Sequence, residues 1–87
     1  MKIIDFYADW CGPCQVTKKA LGEFGLSHKD IEIQYINIEE EANEDLVDSY
    51  HVRNLPTLVL LNEESKEIKR HTGLLNVAGL ENFVSEL

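Results

Sequence analysis

The 87 residues predict an α/β chain of order βαβαββα, a four-stranded mixed sheet with helices on both faces. Three observations predict it. The first half runs strand pattern, helical period, strand pattern, which implies a parallel pair joined by a right-handed crossover. The second half ends on two strand patterns around a short turn, an antiparallel hairpin. Hydrophobic residues make up 44% of the chain, enough for one core, so residues 1–87 are read as a single domain.

Ile3 to Ala8 (IIDFYA) is short, mostly apolar and rich in β-formers, as a strand buried on both faces should be. Asp9 to Pro13 is turn-like. From Gly12 to Phe24 the period changes, with Cys14, Thr17, Leu21 and Phe24 at i, i+3, i+7 and i+10 and Ala20 alongside. That is one face of a helix, which Gly25 is expected to stop. Ile31 to Ile38 forms the second strand and leaves one sheet edge uncovered, although a monomer is expected. Six of the ten residues from Glu39 to Asp48 are acidic, read as the solvated entrance of a short helix. Asn43 would cap it, with Glu44 and Asp45 in the first turn and Leu46, Val47 and Tyr50 facing inward. Thr57 to Leu61 is the third strand, Asn62 to Ser65 a turn, and Lys66 to Thr72 a charged edge strand. Gly73 ends it. Asn76 then caps a last helix burying Val77, Leu80, Val84 and Leu87, and Tyr7, Phe24 and Phe83 are assigned to the core.

Sixteen acids against eight bases leave a net charge of −8. Binding to nucleic acid or to anionic lipid would need the opposite balance. No apolar run approaches the roughly 20 residues that span a bilayer. After Met1 and Lys2 only Ile3 and Ile4 precede Asp5, so no secretory signal is read. A soluble, cytoplasmic protein is expected.

Cys11 and Cys14 are the only cysteines. A bridge across so short a loop adds little stability, leaving half a metal site or a redox pair. Zinc would draw its other ligands from His28, His51 and His71, none within about five residues of another, so no metal is expected. Helical positions i and i+3 lie about 5 Å apart at Cα, inside the roughly 4.4–6.8 Å that a disulfide requires. The pair can therefore open and close with little backbone movement. Cys11 falls at a helix N-terminus, where free N–H groups and the dipole favour thiolate. Cys14 falls one turn further in, on the apolar face, where desolvation favours thiol. Cys11 is thus assigned as an exposed attacking nucleophile and Cys14 as the resolving thiol. Pro13 suits the first helical turn and stiffens the spacing.

The segment Asp5-Phe6-Tyr7-Ala8-Asp9-Trp10-Cys11-Gly12-Pro13-Cys14 resembles the active-site segment of thioredoxins. Arg53-Asn54-Leu55-Pro56-Thr57 resembles that family's cis-proline loop, and Thr72-Gly73-Leu74-Leu75 continues the likeness. The resemblance implies a thioredoxin-like fold and a protein-disulfide reductase whose redox group is its own Cys11–Cys14 disulfide, with no bound cofactor. It implies electrons from a flavin- and NADPH-dependent thioredoxin reductase, and acceptors such as ribonucleotide reductase or a peroxiredoxin. Asp5 alone could face solvent or core; the resemblance implies a buried carboxylate beneath Cys14 that relays its proton. For Pro56, trans is the default, and the resemblance implies cis. Leu55 would then offer backbone to an extended substrate, with Trp10, Gly12, Pro13, Gly73 and Leu74 completing a shallow apolar patch around Pro56.

Two features depart from the family pattern. The chain opens directly on the active-site strand, without the usual preceding strand and helix. Tyr35 occupies the position where thioredoxins commonly place a lysine beside the buried aspartate, so no fixed cation is expected to oppose Asp5. A glutaredoxin-like enzyme recycled by glutathione would suit the short length. The Gly12-Pro13 pair and the lack of paired glycines before the last helix count against it. An oxidase or isomerase is disfavoured by the missing secretory signal, and a non-catalytic binding module would not need the cysteines.

Overall fold

The computed structural model of the chain describes residues 1–85. Its elements are β1 (Lys2–Tyr7), α1 (Gly12–Ser27), β2 (Glu32–Asn37), a 3-10 turn (Glu41–Asn43), α2 (Glu44–Ser49), β3 (Thr57–Leu61), β4 (Glu67–Thr72) and α3 (Val77–Ser85). The sheet order is β2-β1-β3-β4. β1 and β2 run parallel, while β1–β3 and β3–β4 are antiparallel. This is the mixed four-stranded sheet expected, with β2 and β4 as its edges.

Alternating side chains divide the core into two layers. Ile3 of β1 and Leu58 and Leu60 of β3 pack against Leu21 and Phe24 of α1 and Leu80 and Phe83 of α3. On the opposite face Ile4, Phe6, Ile36, Val59 and Leu61 meet Leu46 and Val47 of α2 and Tyr50 just after it, all three only partly buried. All five residues of β3 are buried, as a strand covered on both faces requires.

The differences from the sequence reading have local causes. α1 runs through Gly25 to Ser27. A Cβ at Gly25 would stand 3.4 Å from Ile33 Cδ1, so this glycine serves the close approach of α1 to β2 rather than a stop. The helix ends at His28, whose ring stacks on Phe24 at 4.1 Å and whose Nε2 lies 2.8 Å from Glu81 Oε1 of α3. Asn43 does not cap α2 with its side chain. Its Nδ2 instead donates to the Asn37 carbonyl at 2.9 Å and fastens the turn after β2. Tyr7 is half-buried rather than core, and the neighbour over its ring is the Lys18 ammonium of α1 rather than an apolar side chain. Asn76 does cap α3, its Oδ1 accepting from the Gly79 amide at 2.8 Å. Leu87 lies outside the described residues.

Candidate active site

The parallel β1–α1–β2 unit opens a crevice beyond the carboxyl ends of its strands, where α/β sheets hold their sites. Here Ala8 leaves the ladder and the Cys11 amide donates to the Ala8 carbonyl at 3.1 Å, closing the turn that launches α1. Cys11 is the N-cap, with extended φ −88° and ψ 108°, and Pro13 sits in the first turn. The Cys11 Sγ accepts from the Cys14 amide at 3.2 Å. One of the helix's unpaired N–H groups therefore points at this sulfur.

Cys11 and Cys14 are joined as a disulfide with a Cα separation of 5.2 Å, close to the helical estimate. Both sulfurs belong to a small apolar cluster with Ala8, flanked by Tyr7, Ile38 and Leu55. Exposure is 6% for Cys11 and 1% for Cys14. The expected exposed Cys11 is thus corrected. Bonding to Cys14 and packing against Leu55 and Ile38 leave only a rim of it open.

That rim gives onto a shallow cleft of about 480 Å³. Trp10, Cys11, Gly12 and Pro13 form one wall, and Leu55, Asn54, Arg53 and Ile38 the other. Trp10 is 68% exposed. The Leu55–Pro56 peptide bond is cis, and Pro56 is buried behind the half-exposed Leu55. The Pro56 carbonyl accepts from the Gly73 amide at 2.9 Å, with Gly73 at φ +104°. Pro56, Gly73 and Leu74, expected in this patch, do not line the cleft: Pro56 is buried, and Leu74 is exposed to solvent. Sequence reasoning missed Ile38, Arg53 and Asn54 as wall residues. The end of β2 was readable as a crevice position from the parallel topology, and Arg53 and Asn54 from their place before Leu55.

The Thr72–Leu75 segment is tied to α1 by a buried hydroxyl. Thr17 Oγ1 accepts from the Leu75 amide at 3.1 Å. Thr17→Val keeps the shape and strands that amide. It should lower unfolding stability by about 1–2 kcal/mol, read as a fall in the urea midpoint at unchanged slope; an unchanged midpoint would show that the bond contributes nothing.

Asp5 is fully buried in β1, paired across to Tyr35 of β2 and Leu58 of β3. Neither carboxyl oxygen has a hydrogen-bond partner among the described residues. Burial pushes its pKa up to about 7, against a downward pull from Lys18. The expectation that no fixed cation opposes Asp5 is therefore overturned. Lys18 lies one helical turn beyond Cys14, with Nζ 4.3 Å from the centroid of Tyr7 and 5.3 Å from that of Tyr35. Tyr35 is raised above its ordinary value by desolvation and by the Asp5 charge.

A cysteine pair that closes reversibly at a helix mouth, on a mixed α/β sheet beside a cis-proline loop, defines a disulfide oxidoreductase. The chain belongs to the thioredoxin family, whose model matches residues 1–86. It is similar to a thioredoxin-like protein of Synechocystis, at 36% identity over 90% of this chain and 72% of that one. It is 32% identical to the thioredoxin of Mycoplasma pneumoniae, over 97% of this chain and 79% of the relative. A chain from a structural study of thiol resolution in yeast mitochondrial 1-Cys peroxiredoxin, via glutathione and thioredoxin systems, superposes with a TM-score of 0.84. The two share 28% identity, and the match covers 99% of this chain and 77% of the other. The family uses its own cysteine pair as redox group, here Cys11–Cys14. No described helix is long and apolar enough to cross a membrane.

Proposed function

We propose that this chain is a cytoplasmic, single-domain dithiol reductant of protein disulfides, with Cys11 as nucleophile and Cys14 as resolving thiol. The observation that supports it best is the Cys14 amide donating to Cys11 Sγ at the mouth of a 16-residue helix. That donor and the helix dipole favour a thiolate on Cys11 over one on Cys14.

In the reduced protein, the Cys11 thiolate attacks one sulfur of a target disulfide and displaces the other as thiolate, giving a mixed disulfide. Cys14 then transfers its proton to the Asp5 carboxylate and attacks Cys11 Sγ. The second target sulfur leaves as thiolate and the Cys11–Cys14 disulfide closes, so two electrons have passed to the target. A carboxyl group that titrates near neutral pH suits a proton acceptor of this kind. Trp10, Gly12, Pro13 and Leu55 present the cleft to an extended target segment, with Pro56 fixing the Leu55 backbone from behind and Gly73 and Leu74 adding contacts outside the cleft. Electrons return through a flavin- and NADPH-dependent thioredoxin reductase, and the targets are proteins such as ribonucleotide reductase or a peroxiredoxin.

Incubation with NADPH, thioredoxin reductase and insulin as the disulfide substrate tests this directly. NADPH should be consumed in proportion to the added chain. Consumption only when glutathione and its reductase replace thioredoxin reductase would overturn the reading.

A further inference from the structure

We infer that Lys18, held over the rings of Tyr7 and Tyr35, is a positioning residue that sets the charge facing Asp5 during the dithiol reaction. The inference rests on the proposed role of Asp5 as proton acceptor for Cys14.

Three elements converge to place this ammonium. Cys14 and Lys18 are four residues apart on α1 and so share a face. Tyr7 follows Asp5 by two residues in β1 and so projects from the same side of the sheet. Tyr35 pairs directly across from Asp5 in β2. Lys18 reaches back along the helix between the two rings, whose electron-rich faces hold a cation without neutralising it. Its charge therefore remains available to the carboxyl below.

The groups facing Asp5 differ by element. β1 contributes the Tyr7 phenol, β2 the Tyr35 phenol, β3 only apolar Leu58, and α1 the Lys18 ammonium, with Cys14 one turn before it on the same helix. Asp5 has no hydrogen-bond donor among the described residues, so it depends on longer-range charge to ionise at all. An opposite charge nearby favours the ionised carboxylate, and its loss favours the protonated acid. A protonated Asp5 cannot take the proton from Cys14. Without Lys18, the resolving step should then need a higher pH.

The test compares the wild type with Lys18→Met, Lys18→Gln and Lys18→Arg. In the oxidised protein, the Asp5 carboxyl is titrated by carbon-13 NMR. In the reductase-coupled insulin assay, rate is followed from pH 5.5 to 9. Both neutral variants should raise the Asp5 midpoint by about half a pH unit or more. The rising limb of the rate profile should move alkaline to match, with turnover at pH 7 reduced roughly two- to fourfold and the gap closing by pH 9. Lys18→Arg should restore both. An unmoved Asp5 midpoint in the neutral variants overturns the inference, as does a rate loss equal at every pH, which marks a merely structural part. The NMR arm needs no turnover, so a chain inactive with insulin would sink the proposed function while leaving Lys18 testable.

Discussion

Serine at Cys11 should abolish turnover, by roughly three orders of magnitude or more, because a hydroxyl at neutral pH offers almost no anionic nucleophile. Serine at Cys14 should instead leave the first attack intact and stop the reaction at the mixed disulfide, which accumulates as a covalent adduct with the target. The two outcomes follow from one asymmetry. Cys11 Sγ receives an amide donor at the helix start, whereas Cys14 is 1% exposed and packed among apolar neighbours. In the reduced wild type, iodoacetamide at pH 7 should therefore modify Cys11 at least about tenfold faster than Cys14. Equal, slow modification of both thiols would remove the basis for the assignment. A Cys11→Ser protein that still reduced insulin would remove the mechanism.

Asp5→Asn should stabilise the oxidised protein at pH 8 and slow its reduction cycle. The sign follows from linkage. The folded carboxyl titrates near 7 against an ordinary 3.8, so between those values the folded state holds a proton that the unfolded state has lost. Stability from this group is full below about pH 4, falls as pH rises to about 7, and is flat above. Three pH units correspond to about 4 kcal/mol, an upper figure for the penalty of ionising Asp5 in place. The substituted asparagine keeps the volume but buries an amide without a partner, which returns about 1–3 kcal/mol of that gain. A net advantage of about 1–3 kcal/mol at pH 8 remains, shrinking or reversing at pH 4. Urea unfolding of both proteins at the two pH values measures the difference, and other carboxylates cancel between them. Turnover should fall about a hundredfold, the lower end of what a positioned proton acceptor supplies. A difference in stability that did not change with pH would show that folding leaves the Asp5 carboxyl at its ordinary pKa.

Much of this was legible because it depends on period and local backbone chemistry. The stripe Cys14, Thr17, Leu21, Phe24 placed α1, and the proline and dipole at its start separated the two thiols. The strand order followed from connection rules. What escaped the sequence depends on contacts between distant segments. Gly25 reads as a stop until β2 is seen 3.4 Å from where its side chain would be. Asn43 reads as a cap until the Asn37 carbonyl lies within reach. Lys18 carries no signal in the sequence, and only the parallel pairing of β1 with β2 sets Tyr35 beside Tyr7 to receive it. The far wall of the cleft was hidden for the same reason, since Ile38 and Asn54 are neighbours only once the sheet is folded.

The two sides of the groove differ in how firmly they are anchored. Trp10 to Pro13 are rooted in a long helix packed against both the sheet and its neighbour α3 through fully buried Thr17, Leu21 and Phe24. Arg53 to Leu55 follow α2, a six-residue helix with no buried side chain of its own. Segments with little buried apolar surface open locally at small free-energy cost. The reacting sulfurs thus stay fixed while the opposing lip can yield, a combination suited to gripping disulfides set in differently shaped proteins.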